Sequence, residues 1–373
     1  MSVYLDHNAT TPVRPEAVRA MMAALGAVGN PSSVHGAGRA ARKLVEEARE
    51  QVAAAVGASA AGVVFTSGGS EANALALSGL GRKVVIASAV EHPSVLKAAA
   101  CHLLPVDADG VAQPAALERL LQGLPGREVV VAVMLANNET GVVQPVAELA
   151  RIAHARGALV HCDAVQALGR LPVDMAALGA DSLALSAHKV GGPQGTGALV
   201  LADGAFDLAP LIKGGGQELR RRAGTENVPG IAGFAAALAA ALPGYADEAA
   251  RLAALRDGIE ARLAAALPGL RRFGADVERL GNTSCLAVPG LSAQTAVMAL
   301  DLAGVMVSAG SACSSGKVAP SAVLTAMGAG DLAGAAIRVS LGWTSTAADG
   351  EAFCDAFLPL AARHAEKNAA SAA

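Results

Sequence analysis

A lysine that ends an apolar run, beside a histidine and ahead of a glycine run, is an unusual placement for a residue most at home in water. Ser186-Ala187-His188-Lys189, followed by Val190-Gly191-Gly192-Pro193-Gln194-Gly195-Thr196-Gly197, has that arrangement. Desolvation lowers an amine's pKa, and an uncharged lysine is a nucleophile able to form a Schiff base with an aldehyde. A surface lysine whose stem lies over apolar neighbours reads the same way. Earlier in the chain, Thr66-Ser67-Gly68-Gly69-Ser70-Glu71-Ala72-Asn73 joins an apolar run to a helical one. A glycine-rich turn into a helix exposes backbone N–H groups that suit a phosphate, although a plain tight turn has the same composition. It is not a Walker A loop, because no Lys-Ser/Thr follows the glycines.

Asp163 ends the apolar run in Leu159-Val160-His161-Cys162-Asp163-Ala164-Val165-Gln166, the position where open α/β sheets place residues that touch ligands. A helix N-cap is the commoner use of such an aspartate. Taken together, a phosphate cup, an acid able to pair with a pyridine nitrogen and a Schiff-base lysine are what a pyridoxal-phosphate (PLP) enzyme requires. Two further residues stand out. Cys313 lies in Ser308-Ala309-Gly310-Ser311-Ala312-Cys313-Ser314-Ser315-Gly316, where small polar neighbours argue against a core position and exposure is a precondition of thiol reactivity. An inert packing cysteine is the alternative. Arg338 interrupts the strand-like run 336–341 and needs an anionic partner if buried. A substrate carboxylate and a structural salt bridge both satisfy that need.

These residues need a scaffold. The chain has 373 residues, 53% hydrophobic and 16% charged, enough for a sizeable core and incompatible with extensive disorder. A net charge of −3 and 2% aromatics leave neither a basic surface nor stacking platforms for nucleic acid. The five cysteines, Cys101, Cys162, Cys285, Cys313 and Cys354, are scattered without metal-type spacing, so no metal site is expected. Their odd number and the absence of a signal-peptide profile at residues 1–7 fit a reducing, cytoplasmic setting. Residues 227–246 carry no charge but are mostly alanine and glycine with Pro229 and Pro243, which predicts a buried helix linking two lobes rather than a membrane span.

Continuous apolar runs at 62–66, 83–87, 129–135, 159–162, 182–185 and 198–201 read as strands buried on both faces. Helical periodicity at 37–56 and 146–155 alternates with them, which predicts a largely parallel sheet covered by helices. Beyond about residue 244 a charged helix (247–267) and short strands near 284–288 and 335–341 suggest a smaller α+β lobe. Residues 367–373 read as a frayed tail.

With these residues in place, the chain resembles the NifS/IscS-type cysteine desulfurases of the class V aminotransferases. The resemblance rests on Tyr4-Leu5-Asp6-His7-Asn8-Ala9-Thr10-Thr11-Pro12, Asn30-Pro31-Ser32-Ser33-Val34-His35, Glu91-His92, Asn137-Asn138-Glu139-Thr140-Gly141, Gly214-Gly215-Gly216-Gln217-Glu218 and Gly224-Thr225, together with the segments above. It implies the α/β fold type I of PLP enzymes: a large cofactor-binding domain over 16–245, and a small domain made of 1–15 and 246–373 that carries the catalytic cysteine. It implies that Lys189 carries PLP and acts as base, that Asp163 pairs with the ring nitrogen, and that His92 stacks on the ring and moves protons. Gln166 would bond the phenolic oxygen, and Gly69, Ser70, Ser186 and His188 the phosphate. Thr225 would reach the phosphate of a partner subunit in a homodimer. Asn138 and Arg338 would hold the carboxylate of L-cysteine, and Cys313 would receive its sulfur as a persulfide and pass it to an acceptor such as an iron–sulfur scaffold. A selenocysteine lyase, or another lyase or aminotransferase of the same fold, is the alternative. A relay protein that keeps the fold without catalysis is disfavoured by Lys189, Asp163, His92, Cys313 and Arg338 occurring together. A dehydrogenase reading of 191–197 lacks the required glycine spacing.

Overall fold

The computed structural model describes residues 2–202, 207–310 and 319–372, with side chains up to residue 364. Cys313 therefore lies outside the described residues. The chain opens with a short strand, β1 (Val3–Tyr4). The apolar runs then become β2 (Val63–Thr66), β3 (Val84–Ser88), β4 (Cys101–Leu104), β5 (Val129–Met134), β6 (Leu159–Asp163), β7 (Ser182–Ser186) and β8 (Gly197–Leu201). These form one seven-stranded sheet in the order β2-β8-β7-β6-β5-β3-β4. β4, β3, β5, β6 and β7 pair in parallel, whereas β8 is antiparallel to both neighbours. Every residue of β5, β7 and β8 is buried, as continuous apolar runs demand of strands covered on both faces.

The helix Gly36–Ala54 buries Ala41, Val45, Ala48 and Val52 on one stripe and stops before Gly57, whose φ of 66° favours glycine. The uncharged segment forms the helix Val228–Ala241, continued through a short 3₁₀ turn into Tyr245–Ala266. By length and composition this stretch passes for a membrane span, but Ile231, Phe234, Ala237 and Leu238 belong to the same hydrophobic cluster as the sheet. Alanines let it pack closely there.

A second cluster joins Leu5, Leu252, Ile259, Leu263, Ile337, Phe353 and Phe357. It backs a four-stranded sheet containing β9 (Arg271–Phe273), β10 (Thr283–Ala287), β12 (Ser308–Ala309) and β13 (Ala336–Ser340), while β1 pairs with β11 (Val305–Met306). The expected frayed tail is corrected: the helix Ala347–Ala372 runs through residues 367–372, whose alanines favour helix.

Residues 3–14 strap the two clusters together. Leu5 N–H bonds Met306 O (2.9 Å) and His7 N–H bonds Ser340 O (3.1 Å), whereas Thr11 N–H bonds His188 O (3.1 Å) and Arg14 N–H bonds Gly191 O (2.8 Å). His7 is wholly buried, and a Cβ on Gly342 would overlap its ring. Gly342→Ala should therefore lower stability by about 1–3 kcal/mol, the usual cost of overpacking. An unchanged urea midpoint would show that the ring has room to move.

Candidate active site

Of the described residues singled out by type, Gly69, Ser70, His92, Asp163, Ser186, His188 and Lys189 stand at or just beyond the C-terminal ends of strands of the large sheet. The helix Gly69–Gly79 follows β2, and no side chain caps its N-terminus. Its free N–H groups open into a cavity of about 380 Å³ lined by Gly69, Ser70, Ser186, His188, Gln194 and Thr10, among others. A Cβ on Gly69 would lie 2.6 Å from Val165 Cγ2, and behind the turn one on Gly197 would lie 2.7 Å from Gly68 Cα, whereas Gly68 and Gly195 have open space beside them. Backbone can therefore approach an anion closely. Burial together with the positive charges of Lys189 and Arg170 pushes His188 down to about 4, leaving it a neutral hydrogen-bonding ring at pH 7.

Asp163, at the end of β6, is 7% exposed. Its Oδ2 accepts from Asn73 Nδ2 (2.8 Å) and its Oδ1 from Val165 N–H (3.0 Å). Behind it, buried His161 contacts Asn73 Oδ1 (2.9 Å) and Ser182 Oγ (2.8 Å), and burial pushes the ring down to about 4. The local fold thus accounts for the carboxylate's position without a helix N-cap.

Lys189 stands in the 3₁₀ turn Ala187–Lys189 just beyond β7, the parallel neighbour of β6. Its Nζ donates to Asn8 O (2.5 Å) and Ala9 O (2.7 Å). Burial first, then the charges of Arg170 and Arg338, bring the amine down to about 7, against the opposing pull of Asp6 and Asp163. It is therefore partly uncharged at neutral pH and held by neutral carbonyls. His92 caps the short helix Pro93–Leu96, its Nδ1 accepting from Ser94 N–H (3.1 Å). Burial and Lys189 lower its pKa while Asp163 opposes them.

Arg338 projects from β13 with its side chain buried. It donates from one terminal nitrogen to Asp6 Oδ1 (2.7 Å) and from the other to Asn138 O (3.1 Å), and its Nε has no partner among the described residues. Both readings of this arginine thus keep support: a salt bridge is present and one donor is left over. Gln166 is committed on both sides, its Nε2 to Asn8 O (3.0 Å) and its Oε1 to Arg170 (2.5 Å). Thr225 is exposed and does not line the cup of its own chain.

Asn8, Asn73, Asp6 and Arg170 were given no role by sequence reasoning. Asp6 and Asn8 stood in a noted motif, but their partners are too distant in sequence for spacing to reveal. Among the described residues no group of three or more His, Cys, Asp or Glu could hold a metal. The four described cysteines are free, and burial raises each thiol above its ordinary pKa. None of the four is poised as a thiolate.

Residues 3–353 match the class-V aminotransferase family. The chain belongs to that family. Among curated relatives of this class-V aminotransferase is the cysteine desulfurase of Cereibacter sphaeroides, 43% identical over 96% of this chain and 95% of the relative. The IscS-like cysteine desulfurase of Mycobacterium tuberculosis is 39% identical over 99% of this chain and 98% of its own length. A NifS-like protein from Rickettsia africae superposes with a TM-score of 0.91, at 36% identity, over 96% of this chain and 99% of that one. The sheet order and the smaller α+β unit are those of the family's PLP fold type I.

Proposed function

We propose that the chain is a PLP-dependent cysteine desulfurase that converts L-cysteine to L-alanine and takes the sulfur onto Cys313. The observation that carries this reading is the lowered, carbonyl-held amine of Lys189 beside Asp163 and the glycine-floored cup. The site fits the cofactor. The cup has room for a phosphate over the closely packed Gly69, Asp163 can face a pyridinium nitrogen, and Lys189 can reach an aldehyde. PLP, when bound, supplies that aldehyde and a protonated ring that withdraws electrons from the substrate's α-carbon.

The residues divide the remaining work. Gly69, Ser70, Ser186 and His188 hold the phosphate, Gln166 donates the second hydrogen of its Nε2 to the phenolic oxygen, and His92 stacks on the ring and shuttles protons. Asn138 and Arg338 grip the substrate carboxylate, the guanidinium matching its two oxygens. Lys189, uncharged, takes the α-proton. The Cys313 thiolate then attacks the substrate sulfur. A sulfur–sulfur bond forms, the Cβ–sulfur bond breaks, Cβ gains a proton, and the α-carbon recovers the one Lys189 took, giving alanine.

A division into a domain over 16–245 and one made of 1–15 and 246–373 is supported by the cluster around Leu5 and Phe353, whose buried members all fall in the second set of residues. A second copy would supply Thr225 to the cup. An apolar groove of about 700 Å³, lined by Val18, Met22, Leu25 and Pro193 and reaching Thr10 and Gln194 of the cup, supports such a homodimer. The persulfide would pass to an acceptor such as an iron–sulfur scaffold in the cytoplasm.

Brief mixing of PLP-loaded protein with L-cysteine, followed by peptide mass spectrometry without reductant, should place an added sulfur on the Cys313 peptide and release alanine. Alanine without that sulfur would replace the desulfurase with a thiol-independent lyase. Neither product, in a protein yellow from cofactor, would remove L-cysteine as substrate.

A further inference from the structure

The turn that presents Asn138 also carries a buried acid that the chemistry above does not use. Asn137 Oδ1 accepts from the backbone N–H groups of Glu139 and Thr140, both at 2.9 Å, while its Nδ2 donates to Val90 O at 3.0 Å. The turn is thereby fixed to the segment that leads into His92. Glu139 is 7% exposed, and its Oε2 accepts from Ser321 Oγ at 2.6 Å. A Cβ on Gly310 would overlap that same oxygen.

Both contacts belong to well-anchored chain. Gly310 follows β12, in which Ser308 is paired with Arg338. Ser321 caps the helix Ala322–Ala326 through Leu324 N–H (3.1 Å), and its own N–H bonds Ala333 O (2.8 Å). In the sequence these two residues flank the stretch that contains Cys313. One carboxyl group therefore meets the chain on both sides of that stretch and joins it to the turn whose Asn138 carbonyl receives Arg338.

We propose that Glu139 is a positioning residue, which sets the two ends of the Cys313 stretch against Asn138 and Arg338 so that the thiol and the substrate sulfur meet. The inference rests on the desulfurase reading and on Gly310 and Ser321, both described residues. An acid is an expensive choice here. Burial pushes Glu139 up to about 7, against the Ser321 hydrogen bond and the Arg338 charge. An apolar residue of similar size would avoid that desolvation, so the acid is explained by what it holds.

The test uses PLP-loaded protein in single turnovers, reading the rate of sulfur appearance on Cys313 and the half-saturating L-cysteine concentration. Misplacement by about 1 Å costs up to roughly 10²-fold. Glu139→Ala should therefore slow persulfide formation at least about tenfold, with half-saturation changed by less than about twofold. Glu139→Gln, which can still accept from Ser321, should recover to within about threefold of the parent. Ser321→Ala should slow the same step, and the double variant should be no slower than Glu139→Ala alone.

Rates equal to the parent in Glu139→Ala would overturn the proposal. So would a parallel loss of L-cysteine saturation, which would make Glu139 part of the substrate pocket, or fully additive losses in the double variant. Absence of persulfide in the parent protein would instead sink the desulfurase reading, and this inference with it.

Discussion

Lys189→Ala is expected to lower alanine release from L-cysteine by about 10⁴-fold or more, the upper range for removing a general base. The expectation comes from the site's geometry. Among the described residues, Nζ is the one amine held beside the cup, bonded to the carbonyls of Asn8 and Ala9 rather than to a carboxylate. A carboxylate partner would hold it charged, whereas burial and the nearby arginines bring it down to about 7. The sign of the pH dependence follows. In protein without cofactor the amine loses its proton as pH rises through about 7, so its reaction with a small aldehyde should speed up across that range and level off above it. Single-turnover alanine release, compared between parent and variant at saturating L-cysteine, measures the first effect. A loss smaller than about 100-fold would mean that another group takes the α-proton.

Glu218→Ala should destabilise the fold by about 3 kcal/mol, the lower end of the cost of breaking a buried ion pair, because Arg49 keeps Glu46 as a second partner. Arg49 reaches Glu218 with both terminal nitrogens, at 2.7 and 2.9 Å, and Phe65 N–H bonds the same carboxylate at 2.9 Å. Both charged residues are under 10% exposed. The carboxylate thus ties the helix Gly36–Ala54 and β2 to a turn in which Glu218, Leu219 and Arg220 take φ of 47°, 55° and 67°. Such left-handed backbone costs an L-residue roughly 1–2 kcal/mol, and here the ion pair holds it in place. Removal of the carboxylate leaves the Phe65 N–H unmatched, leaves Arg49 only Glu46 Oε2 (3.1 Å) and Val63 O (2.8 Å), and lets the turn relax. Chemical denaturation measures the loss, with Glu46→Ala as the partly exposed comparison, expected to cost less than about 1 kcal/mol. Equal midpoints for the two variants would show that the buried pair contributes nothing special.

How much of this was legible in the sequence depended on whether the signal was local. The central strands were, because burial on both faces leaves an unbroken apolar run, and 129–135, 159–162 and 182–185 fall within two residues of β5, β6 and β7. β4 was not: Cys101-His102-Leu103-Leu104 sits at the sheet edge with His102 and Leu103 exposed, so its composition does not distinguish it from a loop. Asp163, Lys189 and the glycine turn were legible because strand ends and glycine runs are written in consecutive residues. Asp6 as the partner of Arg338, Asn8 as the acceptor for Lys189, and Glu218 as the partner of Arg49 were not. Those pairs are between 169 and 332 positions apart, and only the folded topology brings them together.

The strap formed by residues 3–14 also bears on how the protein is made. Its first hydrogen bonds are to residues 304, 306 and 340, which leave the ribosome long after the strap itself. The nascent chain can assemble the seven-stranded sheet once residue 201 has emerged, since every strand of that sheet lies before that point. Asn8 and Ala9, which hold the Lys189 amine, are then already synthesised but have no second sheet on which to anchor. Completion of the lysine's surroundings must therefore wait for residues 304–340, so the order of synthesis keeps a partly made chain from acquiring a finished active site.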